Sequence, residues 1–195
     1  MNRFFVRTSL VIPLLALLAF RPVEPGESIP DFTARDENGK PWTFSQQRAN
    51  YLVIYFYPAA FTGGCTAEAC AYRDYAAEFS KLKAKVIGIS GDEAPNLTKF
   101  KEYNNLNFTL LSDHDGSLAR LFGVPVYDGK TIEKEVNGQT LELTRGVTAS
   151  RWTFVVDVNG KLIYRDKNVS ASTDPETVLK FLKTHDERKS CRIRK

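Results

Sequence analysis

The hydrophobic pattern of the chain changes from one apolar stretch near the N-terminus to a series of short elements from about residue 27. Apolar runs rich in β-branched and aromatic residues predict buried strands at 51–57, 86–90 and 108–111. Apolar residues at spacings of three and four predict a helix at 65–82. Further helices are predicted at 95–103, at 117–122 and from 174–175 to about 183. Gly123 is expected to end the third helix, and Asp174 is expected to be the N-cap of the last.

Three Asn-Gly pairs predict tight turns between strands. They lie at 38–39, 137–138 and 159–160, each between strand-like segments. The resulting order predicts an α/β fold, with a central mixed β-sheet flanked by helices, an N-terminal β-hairpin and an extra hairpin near 126–147. A thioredoxin-like fold matches this order, although the order alone is compatible with other α/β folds.

The first 26 residues have the pattern of a targeting segment. Arg3 and Arg7 precede an apolar run at 10–20, and a polar, turn-prone stretch follows. This order is typical of a secretory signal, and the run is shorter than the roughly 20 residues of a membrane span. Because a cut after Ala19 would place the bulky Leu17 at a position that favours small residues, an uncleaved anchor is the alternative, and a segment without a targeting role is the third reading. We expect export to the bacterial periplasm, or attachment to the inner membrane if the segment is kept.

Composition indicates one soluble domain, which we place at 27–185. Of the 195 residues, 43% are hydrophobic and 26% are charged, as in ordinary globular proteins. The net charge is +4, and the clearest basic cluster is a C-terminal tail at 186–195, so a nucleic-acid-binding face is not expected. The two histidines lie far in sequence from the three cysteines, so we expect neither a zinc site nor a cofactor.

The candidate chemistry lies where the strand at 51–57 is followed by a helix. Pro58 ends the strand, a short loop follows, and Cys65 stands where the helix begins. Unpaired N–H groups and the helix dipole at that position stabilise an anion, so a thiolate is favoured there. Thr62 offers a hydroxyl nearby, and Gly64 leaves room for a substrate. A buried, inert cysteine is the alternative for Cys65 taken alone.

Pro58, Thr62 and Cys65 together match the pattern P-x-x-x-T-x-x-C, in which this segment resembles the peroxiredoxins. The resemblance implies a thiol peroxidase with Cys65 as the peroxidatic cysteine. It also implies that Thr62 hydrogen-bonds the peroxide and that Pro58 shields the thiolate. The expected substrate is therefore a hydroperoxide, bound by Thr62, Gly64, Cys65 and two residues outside this pattern.

Those two residues, Arg151 and Glu68, are also implied by the resemblance. Arg151 stands directly before the predicted strand at 152–158, where the family has its arginine, and Glu68 matches a supporting position. A guanidinium stays charged at any working pH and can stabilise both the thiolate and the departing oxygen. Taken alone, Arg151 could equally form a surface ion pair with Asp157 or Asp166.

Cys70 is the candidate resolving cysteine, because C-x-x-x-x-C is the spacing of the Q-type, bacterioferritin-comigratory-protein-like subgroup. Five residues of helix rise about 7.5 Å, whereas a disulfide tolerates Cα separations of only up to about 7 Å. We therefore predict that the first turns of the helix unwind when Cys65 and Cys70 form a disulfide. Packing beside Tyr72 and Phe79 is the alternative role for Cys70.

The remaining cysteine and one of the histidines are not expected to take part in catalysis. Cys191 lies in the basic tail and is expected to have no role, with a resolving or intermolecular thiol as alternatives; His114 is expected at the surface. A thiol–disulfide oxidoreductase is disfavoured because the chain has no C-x-x-C, and a redox sensor or holdase that uses Cys65 as a switch is a further alternative. The resemblance implies a thioredoxin-like reductant and a monomer.

Overall fold

The computed structural model describes residues 21–47 and 49–193, and side chains of α5 only through residue 189. Within these residues the chain forms nine strands. They are β1 (Thr33–Asp36), β2 (Pro41–Thr43), β3 (Tyr51–Phe56), β4 (Ala84–Ser90), β5 (Thr109–Ser112), β6 (Val126–Val136), β7 (Gln139–Ala149), β8 (Trp152–Asp157) and β9 (Leu162–Asp166). The five helices are α1 (Gly63–Asp74), α2 (Ala76–Lys81), α3 (Ala94–Tyr103), α4 (Ser117–Leu121) and α5 (Asp174–Ile193).

Seven of the described strands form one mixed sheet in the order β2-β1-β5-β4-β3-β8-β9. The three inner strands β3, β4 and β5 run parallel, while β8 pairs antiparallel with β3. The predicted α/β fold with a central mixed sheet and an N-terminal hairpin is confirmed. The Asn-Gly turns at 38–39, 137–138 and 159–160 each connect two antiparallel strands, as the sequence predicts.

The central strand β3 contributes to a core on each face of the sheet, which explains its unbroken apolar sequence. Val53 and Tyr55 point into the core that also holds α1, α3 and α5. Ile54 and Phe56 point into the opposite core, which is closed by α4. All six residues of β3 are buried, so this strand holds the loop that follows it in a fixed place.

The strands β6 and β7 form a separate two-stranded hairpin, in agreement with the extra hairpin predicted near 126–147. Leu143 is buried in the core beside α1 and α3, and Lys134 donates a hydrogen bond to the carbonyl oxygen of Phe61. An isolated bridge between Asp92 and Arg145 connects the hairpin to the segment after β4. The hairpin therefore packs against the loop that precedes Cys65.

Three predicted helix features differ from the structure. The helix predicted at 65–82 is two helices, because the backbone turns at Tyr75 (ψ 8°). The last helix runs to Ile193 rather than to Lys183, since no glycine or proline interrupts the intervening sequence. Asp174 is not its N-cap: it is already helical, and its carboxylate bonds side chains of other elements.

The predicted signal or anchor lies almost wholly outside the described residues, which begin at residue 21. Among the residues that the structure describes, no helix is both long and apolar enough to span a membrane. The first described residues pack on the domain: Val23 is buried and its N–H donates to Leu121. Arg21 forms an ion pair with Glu27.

Candidate active site

Cys65 lies in the first turn of α1, behind the loop that leaves β3. Cys65 is only 1% exposed. Thr62 occupies the N-cap position of the helix. The Thr62 side chain does not cap the helix; its hydroxyl donates to the carbonyl oxygen of Ala59 at 2.9 Å. The first N–H groups of a helix have no partner within it, so those of α1 can act on an anion beside Cys65.

Arg151 makes direct contact with the Cys65 sulfur, as the sequence predicts. The antiparallel pairing of Trp152 with Phe56 brings the residue before β8 to the same sheet edge as the end of β3. From there Arg151 Nη2 donates to Cys65 Sγ at 3.2 Å. A Cβ added to Gly64 would lie 3.4 Å from the same nitrogen, so a glycine keeps the approach to the guanidinium and the sulfur open.

Glu68 is the second partner of Arg151. Its carboxyl is fully buried, and Oε2 accepts a hydrogen bond from Arg151 Nη1. The other oxygen, Oε1, has no hydrogen-bond partner among the described residues. Burial raises the pKa of Glu68 to about 8, although Arg151 opposes this effect. The alternative pairing of Arg151 with Asp157 or Asp166 is therefore wrong, because one guanidinium bridges Cys65 and Glu68 instead.

Pro58 and Thr62 lie in the segment that connects β3 to α1. Both are half-buried, and residues 59–61 between them are buried. Phe61 has a φ of +61°, which is unusual for a residue with a side chain, and its ring packs against Phe100. The shielding of the thiolate by Pro58 stays a prediction.

A buried carboxylate that the motif does not reveal also holds this loop. Asp92 is 1% exposed, and its Oδ2 accepts hydrogen bonds from the Ala60 N–H and the Ser90 hydroxyl, both at 2.8 Å. Burial raises the pKa of Asp92, while the Ala60 N–H opposes that rise. The position of Asp92, two residues after a predicted buried strand, is the only sequence feature that marks it as a candidate site residue. Nothing in the local sequence indicates that it bonds to residue 60.

A second buried group lies behind Glu68 and joins α1 to α5. Asp174 Oδ2 accepts from the Tyr72 hydroxyl at 2.5 Å and from the Thr153 hydroxyl at 2.7 Å. Burial raises the pKa of Asp174, and the two hydroxyls oppose that rise. The sequence pattern correctly places Asp174 at the start of α5 but assigns its side chain the wrong partner.

Cys70 lies on the same helix as Cys65 but on a different face. It is half-buried, and its thiol donates to Asn104 Oδ1 at 3.8 Å. Both cysteines are reduced, and α1 is helical across both positions. His114 is exposed, as predicted, with Nε2 3.7 Å from a carboxylate oxygen of Glu93. The side chain of Cys191 lies outside the described residues.

Together the fold and the site define a class of protein: a thioredoxin-like domain that presents an arginine-bound cysteine at the start of a helix. The family model described as AhpC/TSA family matches residues 25–165, and the chain belongs to this family.

The chain is also similar to named peroxiredoxins. It is 39% identical to peroxiredoxin Q, chloroplastic, of Arabidopsis thaliana over 168 residues, which cover 85% of this chain and 70% of the relative. It is 35% identical to peroxiredoxin Bcp of Escherichia coli over 164 residues, which cover 84% of this chain and 98% of the relative. The solved bacterioferritin comigratory protein of Xanthomonas campestris superposes with a TM-score of 0.65 at 28% identity, covering 79% of this chain and 91% of that one. The protein is accordingly an antioxidant thiol peroxidase that acts on peroxides.

Proposed function

We propose that Cys65 is the peroxidatic nucleophile of this peroxidase and that Thr62 and Arg151 activate its substrate. The observation that carries this assignment is the 3.2 Å contact between Arg151 Nη2 and Cys65 Sγ. A guanidinium cannot deprotonate at working pH, so it favours the thiolate, which is the reactive form of cysteine.

The first step is an attack of the Cys65 thiolate on the terminal oxygen of a hydroperoxide. A sulfur–oxygen bond forms as the oxygen–oxygen bond breaks, and the leaving alkoxide or hydroxide takes up a proton to give an alcohol or water. Cys65 is oxidised by two electrons to a sulfenic acid. Because the Thr62 hydroxyl donates to Ala59, its oxygen is free to accept from the peroxide O–H. Arg151 stabilises the negative charge that builds on the departing oxygen.

We propose that Cys70 resolves the sulfenic acid. The Cys70 sulfur attacks the Cys65 sulfur, a disulfide forms, and the sulfenic oxygen leaves as water with the thiol proton. Because both residues lie five positions apart in the intact helix α1, the first turns of that helix must unwind for this step. A thioredoxin-like dithiol then supplies two electrons and returns both cysteines to the reduced form.

The proposed substrates are hydrogen peroxide and organic hydroperoxides. The Xanthomonas campestris bacterioferritin comigratory protein is described for its alkyl peroxide reduction activity. The open position at Gly64 is compatible with a substituent on the peroxide, because no side chain stands there.

The decisive experiment is peroxide consumption with thioredoxin and its reductase as the electron source. Wild type should turn over, Cys65→Ser should be inactive, and Cys70→Ser should react once and stop as a sulfenic acid. Cys191→Ser is the matched control and should keep wild-type turnover. If wild type does not consume peroxide but exchanges protein disulfides, the protein is a thiol–disulfide oxidoreductase and the roles of Thr62 and Arg151 are wrong.

We also propose that the protein is exported and monomeric, with the N-terminal segment acting as a signal or an inner-membrane anchor. Mass spectrometry of the protein from periplasmic and membrane fractions would identify its mature N-terminus. Recovery of the full-length chain in the cytosol would contradict export, and a dimer on size-exclusion chromatography would contradict the monomer.

A further inference from the structure

Asn104, at the end of α3, contacts the face of α1 that carries Cys70. Asn104 follows the last residue of α3, and its Oδ1 accepts the Cys70 thiol at 3.8 Å. Its backbone oxygen accepts Arg73 Nη1 at 2.6 Å. Asn104 therefore contacts two residues of α1 at once, one through its side chain and one through its backbone.

Asn104 is itself held firmly in position. It is 7% exposed, and its Nδ2 donates to the carbonyl oxygen of Phe100 at 2.8 Å. Its backbone N–H donates to the same oxygen at 3.2 Å. With the side-chain nitrogen fixed in this way, Oδ1 points at Cys70 and cannot follow the thiol if the helix changes shape.

The contacts along α1 distinguish a first part, which must unwind for the disulfide to form, from an end that can stay in place. Tyr72 is bonded to Asp174, and the Arg73 backbone oxygen accepts from Asn107 Nδ2 at 3.2 Å. These ties lie after Cys70, so residues 63–71 can unwind while the end of α1 stays docked. Within that moving part, the contact of Cys70 with Asn104 must break before the two sulfurs can meet.

We propose that Asn104 is a positioning residue for the resolving step, which holds the Cys70 thiol away from Cys65 while the peroxide reacts. This inference rests on the proposed function, in which Cys70 attacks the Cys65 sulfenic acid and water leaves. A thiol is a weak donor, so the contact is strong enough to favour the docked helix and weak enough to be broken in every cycle. In the part of the chain that the structure describes, Asn104 makes no hydrogen bond with Cys65, Thr62 or Arg151, so the first chemical step should not depend on it.

The test separates the two steps by mixing the reduced protein with one equivalent of peroxide and quenching at successive times. Mass spectrometry then counts sulfenic acid, trapped by dimedone, and the Cys65–Cys70 disulfide. In Asn104→Ala the disulfide should form about threefold to tenfold faster than in wild type, the effect of losing one hydrogen bond. Oxidation of Cys65 should stay within about twofold of wild type.

Asn107→Ala is the matched control, because Asn107 contacts the same helix through Arg73 but does not contact Cys70. It should leave the rate of disulfide formation within about twofold of wild type. Equal acceleration in both variants would overturn the proposal, since general loosening of α1 would then be the cause. An Asn104→Ala variant that resolves at the wild-type rate, or that slows both steps together, would also overturn it.

Asn104→Leu keeps about the size of the side chain but offers no acceptor to the Cys70 thiol, and it tests the proposal independently if Asn104→Ala does not fold. Disulfide formation should again be about threefold to tenfold faster than in wild type, and unchanged or slower resolution would contradict the proposal. Failure of the proposed function looks different: wild type would then form no Cys65–Cys70 disulfide at all. If wild type forms that disulfide and only the Asn104 variants behave unexpectedly, the peroxidase mechanism stands and the role of Asn104 falls.

Discussion

At the scale of single residues, one guanidinium connects the two groups on which the chemistry depends. Arg151 uses Nη2 for the Cys65 sulfur and Nη1 for Glu68, so both ends of its planar fork are occupied. Glu68 orients Arg151, and burial of that carboxyl, with its pKa raised to about 8, limits how much negative charge it places beside the thiolate. The geometry depends on two nitrogens that lie in one rigid plane and point in different directions.

Arg151→Lys should therefore lower the rate of Cys65 oxidation by about 100-fold, because lysine has one flexible ammonium in place of two nitrogens held in a rigid plane toward the sulfur and Glu68. Stopped-flow measurement of the first step with hydrogen peroxide would give this rate. Arg165→Lys is the control, since Arg165 pairs with the exposed Glu24 and should keep the wild-type rate. A first step in Arg151→Lys within about threefold of wild type would show that the charge alone is sufficient.

At the scale of elements, α1 has to be stable for the first step and has to unwind for the second. Its start is held by the Arg151 contacts and its end by the bond between Tyr72 and the buried Asp174. Tyr72 and its acceptor Asp174 are both buried. Without the Tyr72 hydroxyl, the buried Asp174 carboxylate would keep fewer hydrogen bonds to replace those it made with water in the unfolded chain. The end of α1 is therefore the fixed point about which the first turns can move.

Tyr72→Phe should lower the free energy of unfolding by about 1–3 kcal/mol, because it removes one of the two side-chain donors to a buried carboxylate. Urea denaturation followed by circular dichroism would measure the change. Tyr75→Phe provides the matched control: its hydroxyl donates to Glu176 in a more exposed setting, and the change should stay below about 0.5 kcal/mol. Equal effects at the two tyrosines would mean that burial of the bond is unimportant.

At the scale of the whole molecule, several carboxyls are buried with raised pKa values. Burial is the main cause at Glu68, Asp92, Asp113 and Asp174. A carboxyl whose pKa is higher in the folded than in the unfolded protein makes its full contribution to stability at pH values below its pKa in the unfolded chain. That contribution is lost as the pH rises through the folded pKa. The fold should therefore lose stability between mildly acidic and neutral pH through these groups.

Asp113→Asn isolates the clearest of these contributions. Asp113 is 3% exposed, and burial raises its pKa from 3.8 to about 6, although it accepts the N–H groups of Leu118 and Ala119. Relative to the variant, the wild-type free energy of unfolding should fall by about 3 kcal/mol between pH 3.5 and pH 7. Urea titrations at a series of pH values would measure this difference.

Asp115→Asn is the control for that titration. A hydrogen bond from the Ser117 N–H lowers the pKa of Asp115, so its contribution has the opposite sign and is lost as the pH falls. A wild-type protein whose stability relative to Asp113→Asn does not change with pH would show that Asp113 is not shifted in this way.

The elements that the sequence predicted well are those whose signals are local. The strand β3 follows from six consecutive residues that all have to be buried, and the hairpins follow from Asn-Gly turns. The helix limits were predicted less well, because Tyr75 interrupts a continuous apolar pattern without a glycine or proline. The motif residues Thr62, Cys65 and Arg151 could be named in advance, since their spacing and their position beside strands are characteristic.

By itself the sequence determined the α/β order, the reactive position of Cys65 at a helix start, and the identity of the arginine expected to face it. Only the tertiary structure decided which side chains bond to each other: Glu68 to Arg151, 83 positions apart, and Tyr72 to Asp174, 102 positions apart. It also decided that Asp92 holds the loop and that Asn104 holds Cys70. Local pattern specifies the direction in which a side chain leaves its helix or strand. Its partner depends on how the elements pack, which no short segment of the chain contains.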